Sequence, residues 1–217
     1  MKKKIFIALI ILALSFTVFS NAAYADYYSN YTTIKYGIQS NEVTNLQNDL
    51  KSLGYFNATA TGFFGSITKQ TVMNYQKDNY LVVDGIVGHA TARQIKTDRV
   101  IQTAKSYLGV PYVWGGVSPS GFDCSGLTHY TLLMNGITIP RTTEAQYTIG
   151  VSVSMSQLKK GDLVFFTTYK PGPSHVGIYL GNRQFIHESS GAGKVIISSL
   201  DNIYYAQHYI GARRVIN

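Results

Sequence analysis

One cysteine and two histidines carry the chemistry that this sequence could perform. Cys124 lies in the polar, glycine-rich segment GFDCSGL, where a loop meets the start of a predicted helix. Unpaired N–H groups at a helix N-terminus favour the thiolate, which is the attacking species, and they could also hold the oxyanion of a tetrahedral intermediate. The alternative is a small buried hydrophobe, which is what most free cysteines are. The polar setting favours a nucleophile.

A thiolate nucleophile needs a base, and spacing sorts the five histidines. His175 begins a predicted strand and His187 ends the next one, whereas His129 points about 140° away from the cysteine on the same helix. His89 lies in the N-terminal half, and His208 lies in a late segment without a clear pattern. Alone, each strand histidine is more simply a surface or core residue. Together, one can act as the base while the other holds its ring in the right tautomer.

The two strand histidines can meet only if their strands pair in an even register. Side chains alternate between faces along a strand, and opposite residues of an antiparallel pair share a face. An ordinary two-residue turn between the strands would put His175 and His187 on opposite faces. The sequence therefore predicts an odd loop, such as residues 181–183, or a bulge, with both imidazoles facing the N-terminal end of the Cys124 helix.

Helices and then strands must position these residues. A helix that begins with Asp98 as its cap is predicted first, the Cys124 helix continues through Met134, and Thr143 and Gln146 have the capping-box spacing of a third. Five β-rich runs follow, separated by turn residues: 163–166, 175–180, 184–187, 195–197 and 209–215. This order predicts an α+β domain over residues 98–217, with helices packed on an antiparallel sheet.

The N-terminal half contains an internal repeat. Gly62–Gly65 followed by Thr68 recurs 23 residues later as Gly85–Gly88 followed by Thr91. With a helical pattern through residues 43–53, the repeat predicts a compact three-helix module over residues 38–97. A module of this size has room for little besides a core, and it lacks a cluster of metal-binding side chains. Binding is therefore its expected role.

The first 25 residues have the order of a secretory signal peptide. Three lysines precede an apolar run, residues 5–19, and a small-x-small site ends at Ala25. The run is shorter than the roughly 20 residues of a membrane-spanning helix, which disfavours an anchor. We expect a secreted protein with residues 26–37 as a linker and no stable membrane insertion. A single cysteine excludes an intrachain disulfide.

The charge pattern bears on the partner of the protein. The formal net charge is +8, and it falls to +5 without the three N-terminal lysines. A modest positive excess suits a polyanionic surface such as a bacterial wall. The basic residues are scattered and form no run outside the predicted signal peptide, so no nucleic-acid partner is expected.

The N-terminal motifs resemble a known binding domain. They are Val43-x-x-Leu46-Gln47, Leu53-Gly54-Tyr55, Gly62-Phe63-Phe64-Gly65-x-x-Thr68, Tyr75-Gln76 and Asp84-Gly85-Ile86-Val87-Gly88-x-x-Thr91. Over residues 38–96 the pattern is similar to the three-helix peptidoglycan-binding domain of many wall hydrolases. One departure is Thr61, where the first turn of that domain usually has aspartate.

The C-terminal motifs resemble the NlpC/p-sixty family of cell-wall cysteine peptidases. They are Pro111-Tyr112-x-Trp114-Gly115-Gly116, Phe122-Asp123-Cys124-Ser125-Gly126, Pro140-Arg141, Gly161-Asp162-Leu163-x-Phe165-Phe166, His175-Val176-Gly177-Ile178-Tyr179-Leu180-Gly181 and Phe185-Ile186-His187. The resemblance covers residues 98–217 and implies a papain-like α+β fold. Family members typically cut the bond between D-glutamate and the third, diamino residue of the peptidoglycan stem peptide.

The resemblance assigns roles position by position. It makes Cys124 the nucleophile, His175 the base and His187 the polar residue that orients the base. Tyr112 corresponds to a tyrosine whose hydroxyl lies near the thiolate. Asp123 and Ser125 correspond to positions that hold the substrate peptide in some members. The resemblance implies no metal and no organic cofactor.

The sequence thus predicts an exported, monomeric, two-domain hydrolase whose partner is peptidoglycan. Its expected activity is that of a γ-glutamyl-type endopeptidase, held on the wall by the N-terminal module. Two alternatives remain open: a different enzyme on the same fold, such as an N-acetylmuramoyl amidase or an acyltransferase, and a catalytically silent wall-binding protein. Whether the third stem residue is diaminopimelate or lysine also remains open.

Overall fold

A computed structural model describes residues 33–216 of the chain. The predicted signal peptide, residues 1–25, and residues 26–32 of the predicted linker lie outside the described residues. Within residues 33–216 there are six α-helices and eight strands, arranged as a helical N-terminal part and an α+β C-terminal part. None of the helices in this range combines the length and the apolar character that crossing a membrane requires.

The N-terminal part is a bundle around its own apolar core. Its helices are α1 (Asn41–Ser52), α2 (Ser66–Asp78) and α3 (His89–Ser106). The Ser40 side chain caps α1 by accepting a hydrogen bond from the Val43 backbone N–H. Ile34 is buried in this core and pairs with Val87, although the sequence puts Ile34 in the linker. A single apolar residue in a tyrosine-rich polar segment has no periodicity that would reveal its burial.

Two buried glutamines explain the repeat in the N-terminal part. The Gln47 Oε1 atom accepts hydrogen bonds from the N–H groups of Thr61 and Gly62, and its Nε2 atom donates to Phe63 O and Thr68 Oγ1. Gln76 binds the second turn in the same way, through Asp84, Gly85, Ile86 and Thr91. Each amide therefore satisfies the backbone of one glycine turn and fixes the helix that follows.

Helix α3 is shared by both parts of the chain. The prediction that Asp98 caps a new helix is wrong, because α3 runs without interruption from His89 to Ser106. The Asp98 carboxylate instead accepts a hydrogen bond of 2.6 Å from the Tyr75 hydroxyl. Ile95 packs in the N-terminal core, whereas Val100 and Ala104 pack in the C-terminal core. The boundary predicted between residues 97 and 98 thus falls inside one helix.

The C-terminal part is built on an antiparallel sheet. Its helices are α4 (Cys124–Met134), α5 (Thr143–Gln146) and α6 (Ile203–His208), with a 3₁₀ turn at Met155–Gln157. Its strands are β1 (Val117–Ser118), β2 (Gly121–Phe122), β3 (Val151–Val153), β4 (Leu163–Phe166), β5 (His175–Gly181), β6 (Gln184–Ser189), β7 (Lys194–Ser199) and β8 (Tyr209–Arg214). In the described residues, β1 pairs with β2, and the other six strands form one sheet in the order β3-β8-β4-β5-β6-β7. The predicted α+β fold is confirmed, and each β-rich run is a strand.

The two faces of the sheet pack against different helices. Because side chains alternate along a strand, each strand contributes to both faces. One face packs against α3 and α4 through apolar residues that include Leu163, Phe165, Val176, Ile178 and Ile186. The other face carries a second apolar cluster, joined by Tyr205 of α6, that includes Val164, Phe166, Tyr179 and Phe185.

The β5–β6 hairpin contains the predicted irregularity. Ile178 pairs with Ile186, but Gly181 pairs with Gln184, so the register shifts by one residue across Leu180. The turn itself has two residues in the left-handed region, Asn182 (φ 49°) and Arg183 (φ 57°). The structure thus combines a two-residue turn with a bulge, which gives the even register that the two histidines require. The prediction of an odd loop or a bulge is confirmed.

Candidate active site

Cys124 is the first residue of α4 and is partly exposed. The N-cap of this helix is Asp123, whose Oδ1 atom accepts a 2.7 Å hydrogen bond from the Gly126 N–H. The Cys124 Sγ atom lies 3.7 Å from Thr143 Oγ1 at the start of α5. A Cβ atom at Gly126 would lie 1.9 Å from Gly116 O, so only glycine allows the start of α4 to approach this loop so closely. The helix start is therefore fixed tightly around the thiol.

The Asp123 carboxylate is fully engaged inside the protein. Arg141 donates to both of its oxygens, Nη1 to Oδ1 at 3.0 Å and Nη2 to Oδ2 at 2.6 Å. The Gly115 N–H donates to Oδ2, and the Ser125 hydroxyl donates to Oδ1 while accepting from Arg141. With the Gly126 N–H, these donors fill the acceptor capacity of a carboxylate. Asp123 and Ser125 line the groove described below, but their polar atoms order the start of α4.

The two strand histidines contact each other directly. The His175 Nε2 atom lies 2.8 Å from the His187 Nδ1 atom. The His187 Nε2 atom lies 2.9 Å from Ser198 Oγ and 3.4 Å from the Tyr205 hydroxyl. When His175 carries a proton on Nε2, it donates to His187 Nδ1, which requires the His187 proton to be on Nε2. This leaves Nδ1 as the nitrogen of the His175 ring that is not engaged by His187.

The two rings share a face of the sheet, but His187 does not face Cys124. Both rings pack against Tyr205, and the His187 ring lies 4.7 Å from the Phe185 ring, on the face opposite α4. His175 lines the groove together with Cys124 because it is the first residue of β5, at the end of the strand. The prediction that both imidazoles face the N-terminal end of this helix is therefore wrong for His187, which lies behind His175.

Burial keeps the thiol and both imidazoles uncharged in the resting protein. It lowers the pKa of His175 to about 4, and burial together with the neighbouring His175 lowers the pKa of His187 well below its ordinary value. Burial also raises the pKa of Cys124, against the hydrogen bonds from Thr143 and from backbone N–H groups, which lower it. Burial therefore opposes the helix N-terminus and favours the protonated thiol, so a reaction of this thiol would need a base that takes its proton.

The thiol opens onto a groove of about 790 Å³. Trp114 and Tyr169 form an exposed lip, with ring centroids 6.1 Å apart. Burial raises the pKa of Tyr112, so its phenol stays protonated and can donate a hydrogen bond in the groove. Lys170 and Glu144 form an ion pair on another side. The exposed aromatic pair was not predicted, because an exposed tryptophan in a loop leaves no periodic pattern.

The remaining histidines described in the C-terminal part are engaged elsewhere. The His129 Nδ1 atom lies 2.8 Å from Ile139 O, and His208 stacks on Tyr204. Among residues 33–216, no group of three or more histidine, cysteine, aspartate or glutamate side chains is placed to hold a metal ion.

Two family models match the chain. The one described as "NlpC/P60 family" matches residues 109–214, and the one described as "Putative peptidoglycan binding domain" matches residues 39–95. The first match contains the β-sheet, Cys124 and both strand histidines. The second contains the two glutamine-bound turns.

Named relatives extend these matches. Over 120 residues the chain is 46% identical to "Probable peptidoglycan endopeptidase LytE" of Bacillus subtilis, which covers 55% of this chain and 35% of that protein. Over 121 residues it is 43% identical to "Gamma-D-glutamyl-L-lysine dipeptidyl-peptidase" of Bacillus cereus, covering 55% and 36%. The chain thus spans about a third of the length of these two relatives.

A solved structure is similar over most of its own length. It is the peptidoglycan hydrolase RipB from Mycobacterium tuberculosis, which is 31% identical to this chain with a TM-score of 0.53. The similarity covers 82% of this chain and 84% of that one.

Proposed function

The chain belongs to the NlpC/P60 family of cysteine peptidases, and from this premise we propose that it is a secreted peptidoglycan endopeptidase that cuts the stem peptide between D-glutamate and the third, diamino residue. One observation carries the proposal: Cys124 begins α4 in the same groove as His175, whose ring contacts His187 at 2.8 Å. The name of the Bacillus cereus relative supports the choice of bond.

The reaction follows from these contacts. His175 Nδ1 takes the proton of the Cys124 thiol as the sulfur attacks the scissile carbonyl carbon, and N–H groups of the first turn of α4 stabilise the oxyanion. The resulting imidazolium gives its proton to the leaving amine, which leaves an acyl thioester on the sulfur. Water, deprotonated by His175, then attacks the thioester and releases the acid and the thiol. His187 holds the His175 ring through all these steps.

The N-terminal module is proposed to hold the enzyme on its polymeric substrate. The match of residues 39–95 to a peptidoglycan-binding model supports this role. Capture on the wall raises the local concentration of stem peptides without changing the chemistry at Cys124. Export through the predicted signal peptide, residues 1–25, would bring the protein to this substrate as a monomer.

Digestion of purified peptidoglycan tests the proposal. The wild-type protein and a Cys124→Ala control are incubated with walls that contain either diaminopimelate or lysine, and the soluble fragments are identified by mass. We expect new D-glutamate carboxyl ends and new amines on the diamino residue, released only by the wild type. Whole stem peptides freed from glycan would indicate an amidase. Fragments cut only at cross-links would indicate another endopeptidase specificity, and no release would indicate a binding protein.

A further inference from the structure

Glu188 is a buried carboxyl at the candidate active site without a hydrogen-bond partner. It has no exposed surface, and neither carboxylate oxygen makes a hydrogen bond within the described protein. It follows His187 in β6, so its side chain lies on the opposite face of the sheet, the face that packs against α4. There it lines the same groove as Cys124. The carboxyl is thus closed to bulk solvent but borders the space that a substrate would fill.

The other carboxylates of the groove already have cationic partners. Asp123 pairs with Arg141 through two hydrogen bonds, and Glu144 pairs with Lys170. Among the described groove residues, Glu188 is the carboxyl that lacks such a partner. The unpaired carboxyl of Glu188 therefore favours a ligand that places a cationic group beside it.

An unpaired buried carboxyl is costly to keep. Moving it from water without compensating hydrogen bonds destabilises the folded state, and its charged form most of all. Burial, together with the nearby Asp123, raises the pKa of Glu188 to about 7. A glutamine in the same position of β6 would avoid the cost of a buried charge, and an apolar residue would also avoid the cost of unpaired polar atoms. A destabilising carboxyl at the edge of this groove indicates a role in binding rather than in folding.

We infer that Glu188 binds a primary ammonium group of the stem-peptide substrate and thereby selects peptides that carry it. An ammonium supplies three donors, and a carboxylate supplies two acceptor oxygens, so contact would satisfy both orphaned atoms at once. A trimmed stem peptide offers two such groups, the α-amine at its N-terminus and the side-chain amine of the diamino residue. The inference rests on the proposed function, and it names Glu188 as the residue that determines which stem peptides are accepted.

Chemical blocking of each amine tests the inference on the wild-type protein. The substrates are three forms of a soluble L-alanyl-γ-D-glutamyl-diamino acid peptide: unmodified, acetylated on the α-amine, and acetylated on the side-chain amine. We expect one of the two acetylations to lower kcat/KM about tenfold or more, because it removes a hydrogen-bonded charge pair. The amine that matters identifies the source of the ammonium. Equal cleavage of all three forms would overturn the inference.

Substitution of the carboxyl completes the test. Glu188→Gln keeps the shape and removes the charge, so it should cleave the unmodified peptide and the sensitive acetylated peptide at similar rates. A matched control, Glu144→Gln, removes a carboxylate that already pairs with Lys170 and should keep the wild-type discrimination. A Glu188→Gln protein that still discriminates, that loses activity equally on all three peptides or that fails to fold would overturn the inference. Discrimination lost in both variants would also overturn it.

Failure of the proposed function would give different experimental results from failure of the inference alone. In that case wild-type protein would leave even the unmodified peptide uncut, and Cys124→Ala would show no binding to it by calorimetry. Failure of the inference alone appears as cleavage that does not depend on either amine.

Discussion

The His175 Nε2 atom lies 2.8 Å from the His187 Nδ1 atom, and this contact decides which nitrogen of each ring can take part in chemistry. The residue proposed to orient the base, His187, is an imidazole whose pKa burial lowers, so it brings no negative charge to an imidazolium at His175. This is consistent with the low pKa that burial gives His175. In the proposed mechanism, an imidazolium at His175 would therefore form only together with the thiolate of Cys124.

The thiol itself is the first point to test. Cys124→Ala should reduce hydrolysis of a soluble stem peptide to the background rate, because no other nucleophile is proposed in the groove. The substitution removes one partly exposed sulfur, so the melting temperature should change by no more than about 2 °C. Activity and thermal unfolding measured on the same sample separate the two effects. Residual hydrolysis that tracks the variant protein through purification would rule out the cysteine mechanism.

Loss of the histidine pair should impair catalysis more than binding. His187→Phe fills the buried site but removes the Nδ1 acceptor, so the His175 ring loses its orientation. We expect kcat to fall about 100-fold or more, with KM changed little, as for other residues that orient a catalytic base. His208→Ala, at a partly exposed histidine stacked on Tyr204, serves as the control. A rise in KM of similar size with unchanged kcat would contradict a positioning role, because the loss would then lie in substrate binding.

Glu188 should make the folded state less stable as the pH rises. Its pKa is about 7 in the folded protein against an ordinary value of 4.5, so between these values the folded state holds a proton that the unfolded state releases. The free energy of unfolding therefore falls as pH increases through this window. Relative to wild type, Glu188→Gln should gain up to about 3 kcal/mol between pH 4 and pH 8. Urea unfolding of both proteins at several pH values measures the difference, and parallel curves would show that folding does not raise the pKa of Glu188.

The buried glutamines should matter more than exposed ones on the same helix. Gln76→Ala leaves backbone groups of a glycine turn and Thr91 without partners, so the free energy of unfolding should fall by about 3 kcal/mol. Gln70→Ala removes only an exposed hydrogen bond to Asn74 and should cost less than about 0.5 kcal/mol. Denaturant unfolding compares the two variants, and equal losses would exclude the role given to Gln76.

A truncated chain shows whether the peptidase part depends on the whole of α3. Lys96 donates to Asn135 O at 2.9 Å, and Thr97 packs beside Gly161, so residues before 98 contact the C-terminal part. A chain that begins at residue 89 should fold, cleave soluble peptide and bind insoluble wall weakly. A chain that begins at residue 98 should unfold at a lower temperature. Equal melting temperatures for the two would show that the first half of α3 is dispensable.

Local rules allowed much of the fold to be predicted from the sequence. The strands and the bulge at Leu180 followed from alternation and from the parity of two histidine positions. The continuity of α3 did not, because an aspartate that can cap a helix is also an acceptor on a helix surface. Whether Asp98 caps a helix or accepts a hydrogen bond from the helix surface depends on Tyr75, which is 23 residues away in sequence.

The site was predictable only in part for the same reason. Motifs led to Cys124, His175 and His187, whose roles remain proposals, but they gave no role to Arg141 or Glu188. The Asp123–Arg141 pair joins residues that are 18 positions apart. Alternation along β6 predicts the face of the sheet on which Glu188 lies. It does not predict that the carboxyl lacks a hydrogen-bond partner, because that depends on all the residues packed around it.

The shared helix α3 has a kinetic consequence. Its 18 residues form a rod of about 27 Å that belongs to both cores, so no hinge separates the module from the groove. A hydrolase on a long flexible tether could cut many bonds around one attachment point. If the module holds the wall as proposed, each attachment would bring only a small set of bonds within reach, and the protein would have to detach before it could cut elsewhere. Above a certain wall affinity, dissociation of the module would then limit turnover on intact wall, and mutations that weaken attachment would make the enzyme faster.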